Sequence, residues 1–120
     1  MIRSPEPVDG PTDPEDLKII NLARSALART AARQGACVRD TDGRTYAGTS
    51  IQLPHLDLSA ITVAVAMAVS SGAAGLEAVA VAGADGPTDA DLAVIADLPG
   101  SGVLIWHVDI DGNLQARISP

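Results

Sequence analysis

The hydrophobic pattern changes period several times along the chain, and each change predicts an element. Asp13-Pro14-Glu15-Asp16 carries the marks of a helix start: an acidic cap, proline at the first turn and carboxylates at the positive end of the dipole. From there to about Arg33, Ile19, Ile20, Ala23, Ala26, Leu27 and Ala31 share one helical face, with Lys18, Asn21, Ser25, Arg29 and Arg33 on the other. Gly35–Arg39 and Thr45–Gly48 flank Asp40-Thr41-Asp42-Gly43, two short strands around an Asp-Gly turn. Ser50 to Asp57, which contains Pro54, reads as a connecting loop.

Leu58 to Gly72 then runs without a single charge and closes on a glycine suited to a helix C-terminus. A helix apolar on all sides requires cover on all sides, so this stretch is expected to be the central buried helix. It falls short of the 18 or so apolar residues that span a bilayer. Ala78–Ala82 is a continuous apolar run and predicts a strand buried on both faces. Asp85-Gly86-Pro87 makes a turn, Thr88 caps a third helix with Asp91 in the capping-box position, and Pro99-Gly100 ends it. Val103–Val108 and Leu114–Ile118 are strands joined through an Asp111-Gly112 turn. The order α-β-β-α-β-α-β-β predicts an α/β fold, a three-layer α-β-α sandwich on a mixed five-stranded sheet. Residues 1–12, rich in proline, read as a loose tail, and 13–120 as one domain.

Composition narrows the functional classes. The net charge is −7, and the excess lies wholly after residue 44, where Arg117 is the only cation. Lys18, Arg24, Arg29 and Arg33 are accounted for by the solvated face of the first helix. With no Phe, one Trp and one Tyr, the chain also lacks aromatic platforms for stacking bases, so nucleic acid is not an expected partner. Nor is a membrane. Cys37 is the only cysteine and no disulfide can form within the chain, which fits the cytoplasm, as does an N-terminal stretch without an apolar signal segment.

The hairpin Gly35-Ala36-Cys37…Asp42-Gly43-Arg44-Thr45-Tyr46-Ala47-Gly48, the helix end Ala68-Val69-Ser70-Ser71-Gly72, and a strand followed by Pro87-Thr88-Asp89-Ala90-Asp91 resemble, in that order, the scaffold motifs of the cytidine deaminase family. The resemblance implies a zinc ion held by Cys or His from one helix start and two Cys from the next, with a glutamate two residues after the first ligand to move protons. In this sequence the first ligand and the glutamate fall on Ser59 and Ile61, or in a second register on Ile61 and Val63. The two cysteines fall on Thr88 and Asp91. All are replaced, so the family zinc is expected to be absent and no cofactor is predicted.

The residues that grip the ribose in the family fall on Ser50 and Gln52. His55 lies in the loop near where such a pocket would open, and these three are the candidate ligand contacts. A relocated metal site would have to draw on His55, Asp57 and Asp91. The resulting expectation is a catalytically inactive cytidine-deaminase-like protein with a binding or assembly role. The alternatives are a deaminase or hydrolase with a rebuilt site, or a nucleoside-binding module without chemistry. Because family members associate through their central helices, the small and apolar side chains of residues 58–71 predict a homo-oligomer, dimer or tetramer.

Overall fold

Seven strands and three helices make up the described part of the chain, residues 10–100 and 102–119 of a computed structural model. Residues 1–9 of the expected tail lie outside it. Helix α1 (Pro14–Thr30) is capped by Asp13, whose side chain accepts from Glu15 N. It stops short of Arg33 because Ala31 takes the left-handed conformation, φ 52°, and its N–H bonds back to Leu27 O. Strands β1 (Gln34–Asp40) and β2 (Thr45–Thr49) form the expected antiparallel hairpin, turning at Gly43.

The segment expected to be a loop is a second, small hairpin of β3 (Ile51–Leu53) and β4 (Leu56–Leu58), with Pro54 and His55 at its turn. Proline is tolerated there because the turn residues owe nothing to the ladder. Helix α2 (Ala60–Ser70) leads to β5 (Leu76–Gly83), α3 (Asp89–Ala96), β6 (Leu104–Val108) and β7 (Leu114–Ile118).

The large sheet has the order β2-β1-β5-β6-β7, with β5 and β6 parallel and every other pair antiparallel, which is the mixed five-stranded sheet read from the sequence. Strand alternation divides its two faces by residue size. Cys37, Ala78, Ala80 and Ala82 meet Ile19, Ile20, Ala23 and Leu27 of α1. Ala36, Val38, Val79 and Val81 meet Ile61, Ala64, Val65 and Ala68 of α2, together with Ile95 of α3. β5 is buried on both faces from Ala78 to Gly83, as its unbroken apolar run predicts. A Cβ at Gly48 would stand 2.7 Å from Val63 Cγ1, so glycine lets α2 lie close against β2.

One expectation about α2 fails. Its inner face is fully buried, but Ala66, Met67, Val69 and Ser70 are exposed, with Met67 at 43% and Val69 at 52%. The sheet covers only one side, so within a single chain the helix is half core and half apolar surface. Among the described residues, no helix is long and apolar enough to cross a membrane.

The sheet end away from α2's start is held by charge. Arg39, 8% exposed, donates to Asp16 of α1 at 2.9 Å and to Glu77 of β5 at 2.8 Å. Burial works against the guanidinium charge, but Glu77 and Asp16 outweigh it and raise its pKa. Beside it, Asp40 accepts from Asp42 N, Arg44 N and the Tyr46 hydroxyl at 2.9, 2.9 and 3.0 Å. Burial pushes the Asp40 pKa up, and these donors together pull it below the ordinary value. Cys37, fully buried, is pushed up to about 11 by desolvation, so it is an inert packing residue at neutral pH.

Candidate functional site

The starts of α2 and α3 meet at the opposite end of the sheet. Ser59 caps α2 in an extended conformation, its Oγ accepting from Thr62 N at 3.1 Å. Thr88 caps α3 in a complete capping box: Thr88 Oγ1 accepts from Asp91 N at 3.1 Å, and Asp91 Oδ2 accepts from Thr88 N at 3.0 Å. The remaining carboxylate oxygen, Asp91 Oδ1, lies 2.5 Å from Ser59 Oγ. That length belongs to a charge-assisted O–H···O⁻ bond. A serine hydroxyl has one proton. The carboxylate can only accept, so Ser59 donates to it, and the Thr62 hydroxyl, 2.9 Å from Ser59 Oγ, is the donor in the other bond.

Every hydrogen-bonding position of Ser59 is thereby used. Asp91 is 3% exposed and sits at the positive ends of two helices, which offsets much of the cost of burying its charge.

A third element joins from the sheet. Gln34, at the start of β1, donates from Nε2 to Asp85 O at 3.0 Å and accepts weakly from Ala60 N at 3.4 Å. His107 Nε2 donates to Gly83 O at 2.9 Å, since a carbonyl oxygen can only accept. Its ring lies under Gly86, where a Cβ would come within 3.1 Å of Nδ1. His107 is thus a strand residue held through Nε2 by a backbone carbonyl.

Between these elements runs an open cleft of about 240 Å³, small beside the ~300–1,000 Å³ of most ligand pockets. Six of the expected site residues line it: Ser50, Gln52, Asp57, Ser59, Thr88 and Asp91. The others lie elsewhere. Ile61 is fully buried in the core beneath α2, Val63 is half-buried near Gly48, and His55 is exposed at the hairpin turn and does not line the cleft. Of the two registers, the one that puts the first ligand at Ser59 brings it beside Thr88 and Asp91.

Ser50 is committed to the scaffold, since its Oγ accepts from Gln34 N at 3.1 Å, whereas Gln52 is exposed. Sequence reasoning missed Gln34, Arg33 and Gly86 as lining residues. Gln34 has no local signal, because its side-chain partners are 26 and 51 positions away.

The donor set falls short of a zinc site. Zinc is held by three or four thiolate, imidazole or carboxylate ligands. Here Ser59, Thr88 and Asp91 offer two hydroxyls and one carboxylate, all engaged with one another or with backbone. Among the described residues, no three His, Cys, Asp or Glu side chains are grouped to hold a metal ion. The buried side-chain atoms without partners there, Arg24 Nε and Trp106 Nε1, belong to residues that do not line the cleft. Ser59 is equally unsuited to nucleophilic attack, since attack needs a lone pair that both Thr62 donors now occupy.

A mixed five-stranded sheet between one helix and two is an architecture shared with cytidine deaminases of known structure. The cytidine deaminase-like family matches residues 12–112, and the chain belongs to that family. Solved structures agree. Cytidine deaminase from Burkholderia pseudomallei superposes with a TM-score of 0.71 at 20% identity, over 86% of this chain and 91% of that one. A mutant cytidine deaminase from Mycobacterium tuberculosis gives 0.66 at 26%, over 78% and 85%. The enzyme from Mycobacterium leprae gives 0.67 at 19%, over 86% and 93%. Comparison with curated protein sequences finds no match.

Proposed function

We propose that this chain keeps the cytidine deaminase scaffold without zinc-dependent deamination and serves a binding or assembly role in the cytoplasm. The observation that carries this reading is the Ser59–Asp91 hydrogen bond, which engages two of the three side chains where the resemblance to the family calls for metal ligands. A hydroxyl pair and one hydrogen-bonded carboxylate offer neither a Lewis acid nor a free base to activate water. Metal analysis of the purified protein, paired with a cytidine deamination assay, tests it. Zinc well below one ion per chain and no turnover are expected; one zinc per chain, or turnover above background, overturns it.

Assembly is the role that the surface supports. The outer side of α2 presents Ala66, Met67 and Val69 with no charged residue anywhere in the helix. An apolar helix face of this kind is a site for association. We therefore infer a homo-oligomer built through α2. Light scattering after size exclusion is expected to give a mass of two or four chains at micromolar concentration, falling to one chain in Val69→Lys with unfolding midpoint of the isolated chain unchanged. A monomeric parent protein overturns the assembly reading.

A further inference from the structure

The convergence of α2 and α3 raises a structural question that the loss of a metal would leave open. The resemblance implies an ion held between the two helix starts; without one, two positive helix ends and a cluster of buried polar groups would face one another. The geometry points to the Ser59–Asp91 hydrogen bond as the tie that takes the ion's place, with Asp91 as its hub. This inference rests on the zinc-free reading above.

Three observations carry it. Asp91 divides its carboxylate between the two helices: Oδ2 closes the capping box of its own α3, and Oδ1 reaches across to the cap of α2. It is 3% exposed, and the salt bridges among the described residues, at Arg33–Asp85, Arg39–Asp16 and Arg39–Glu77, leave it without a cation. Its negative charge is therefore placed where a cation-free pair of helix N-termini needs one. Finally, Ser59 is itself held on the α2 side by both donors of Thr62, so the cross-helix bond joins two rigid caps rather than two free rotors. An ordinary capping box would leave Oδ1 to water. Here it links residues 32 positions apart.

A double-mutant cycle on the full chain tests the tie. Ser59→Gly removes the hydroxyl while retaining most of the capping value, since glycine is an acceptable N-cap. Asp91→Asn keeps the size and one acceptor but faces Ser59 with an amide that cannot replace the charge. Urea unfolding of the parent, the two single variants and the double variant is expected to show a coupling of at least tenfold in the folding equilibrium, with the parent's midpoint unmoved by a chelator or by added zinc. Hydrogen exchange gives a second reading that survives if the double variant does not fold: in Ser59→Gly, the Thr88 and Asp91 amides of α3 should exchange about tenfold faster. A loss confined to the α2 cap would not move them.

Substitutions that add without coupling, or unchanged exchange at Thr88 and Asp91, in a zinc-free parent overturn this inference alone. Stoichiometric zinc in the parent overturns the proposed function and this inference with it.

Discussion

Strand β1 runs from one polar cluster to another, and the two solve the same problem by different means. At its Asp40 end, buried charge is met by opposite charge: Arg39 lies between Asp16 and Glu77. At its Gln34 end, the buried charge of Asp91 is met by a hydroxyl, a backbone N–H and two helix dipoles, with no cation paired to it among the described residues. The first arrangement fixes α1 against the sheet by strong, mutually dependent ion pairs. The second fixes α2 and α3 by short hydrogen bonds around an open cleft. On the reading proposed above, the first end is scaffold retained and the second is a site rebuilt into scaffold.

The comparison predicts that the Arg39 end carries the larger single-residue effect. Arg39→Leu leaves Asp16, itself 9% exposed, with an uncompensated buried carboxylate. Breaking such a pair from one side costs about 3–5 kcal/mol, and the lower part of that range applies because Glu77 reaches solvent. Urea denaturation should therefore show a loss of about 3 kcal/mol, with α1 amides losing exchange protection first. A loss below about 1 kcal/mol would mean that the ion pairs add little beyond an apolar contact, and the contrast between the two ends would collapse.

Much of the scaffold was legible, because it is written in local chemistry. Asp13 and Thr88 cap the helices assigned to them, Asp42-Gly43 turns the first hairpin, and the apolar run at β5 is buried on both faces. What was missed depends on distant partners or on weak local signals. Ala31 ends α1 in a left-handed conformation without the glycine that usually marks one. The β3–β4 arms are three residues each, too short for alternation to show. An all-apolar α2 suggested cover on every side, but hydrophobicity cannot say whether that cover lies within the chain.

At the cleft, Ser59, Thr88 and Asp91 were picked out by resemblance, yet the bond between Ser59 and Asp91 was not. The capping box fully explains Asp91 from sequence and gives no hint of what its second oxygen reaches. Gln34 was invisible for the same reason.

Acid separates the two ends more finely. Asp40 is 1% exposed, and its pKa lies below the ordinary carboxylate value because three donors favour its charged form over the burial that opposes it. The sign follows directly. A carboxylate with a depressed folded-state pKa contributes stability that is fully present above its unfolded value, about 3.9, and is lost as pH falls through the lower folded value. In Asp40→Asn the three donors keep only a neutral oxygen, so the variant should be less stable than the parent by about 2 kcal/mol at neutral pH. That gap should stay constant down to about pH 5 and narrow below about pH 4, as the parent's own Asp40 becomes protonated. Urea unfolding of both proteins between pH 2.5 and 7 measures it. A gap that keeps its full size to the lowest pH would show that the Asp40 contribution is one of shape rather than charge. The Asp40 end would then resemble the Asp91 end as an arrangement of hydrogen bonds, leaving Arg39 alone to distinguish them.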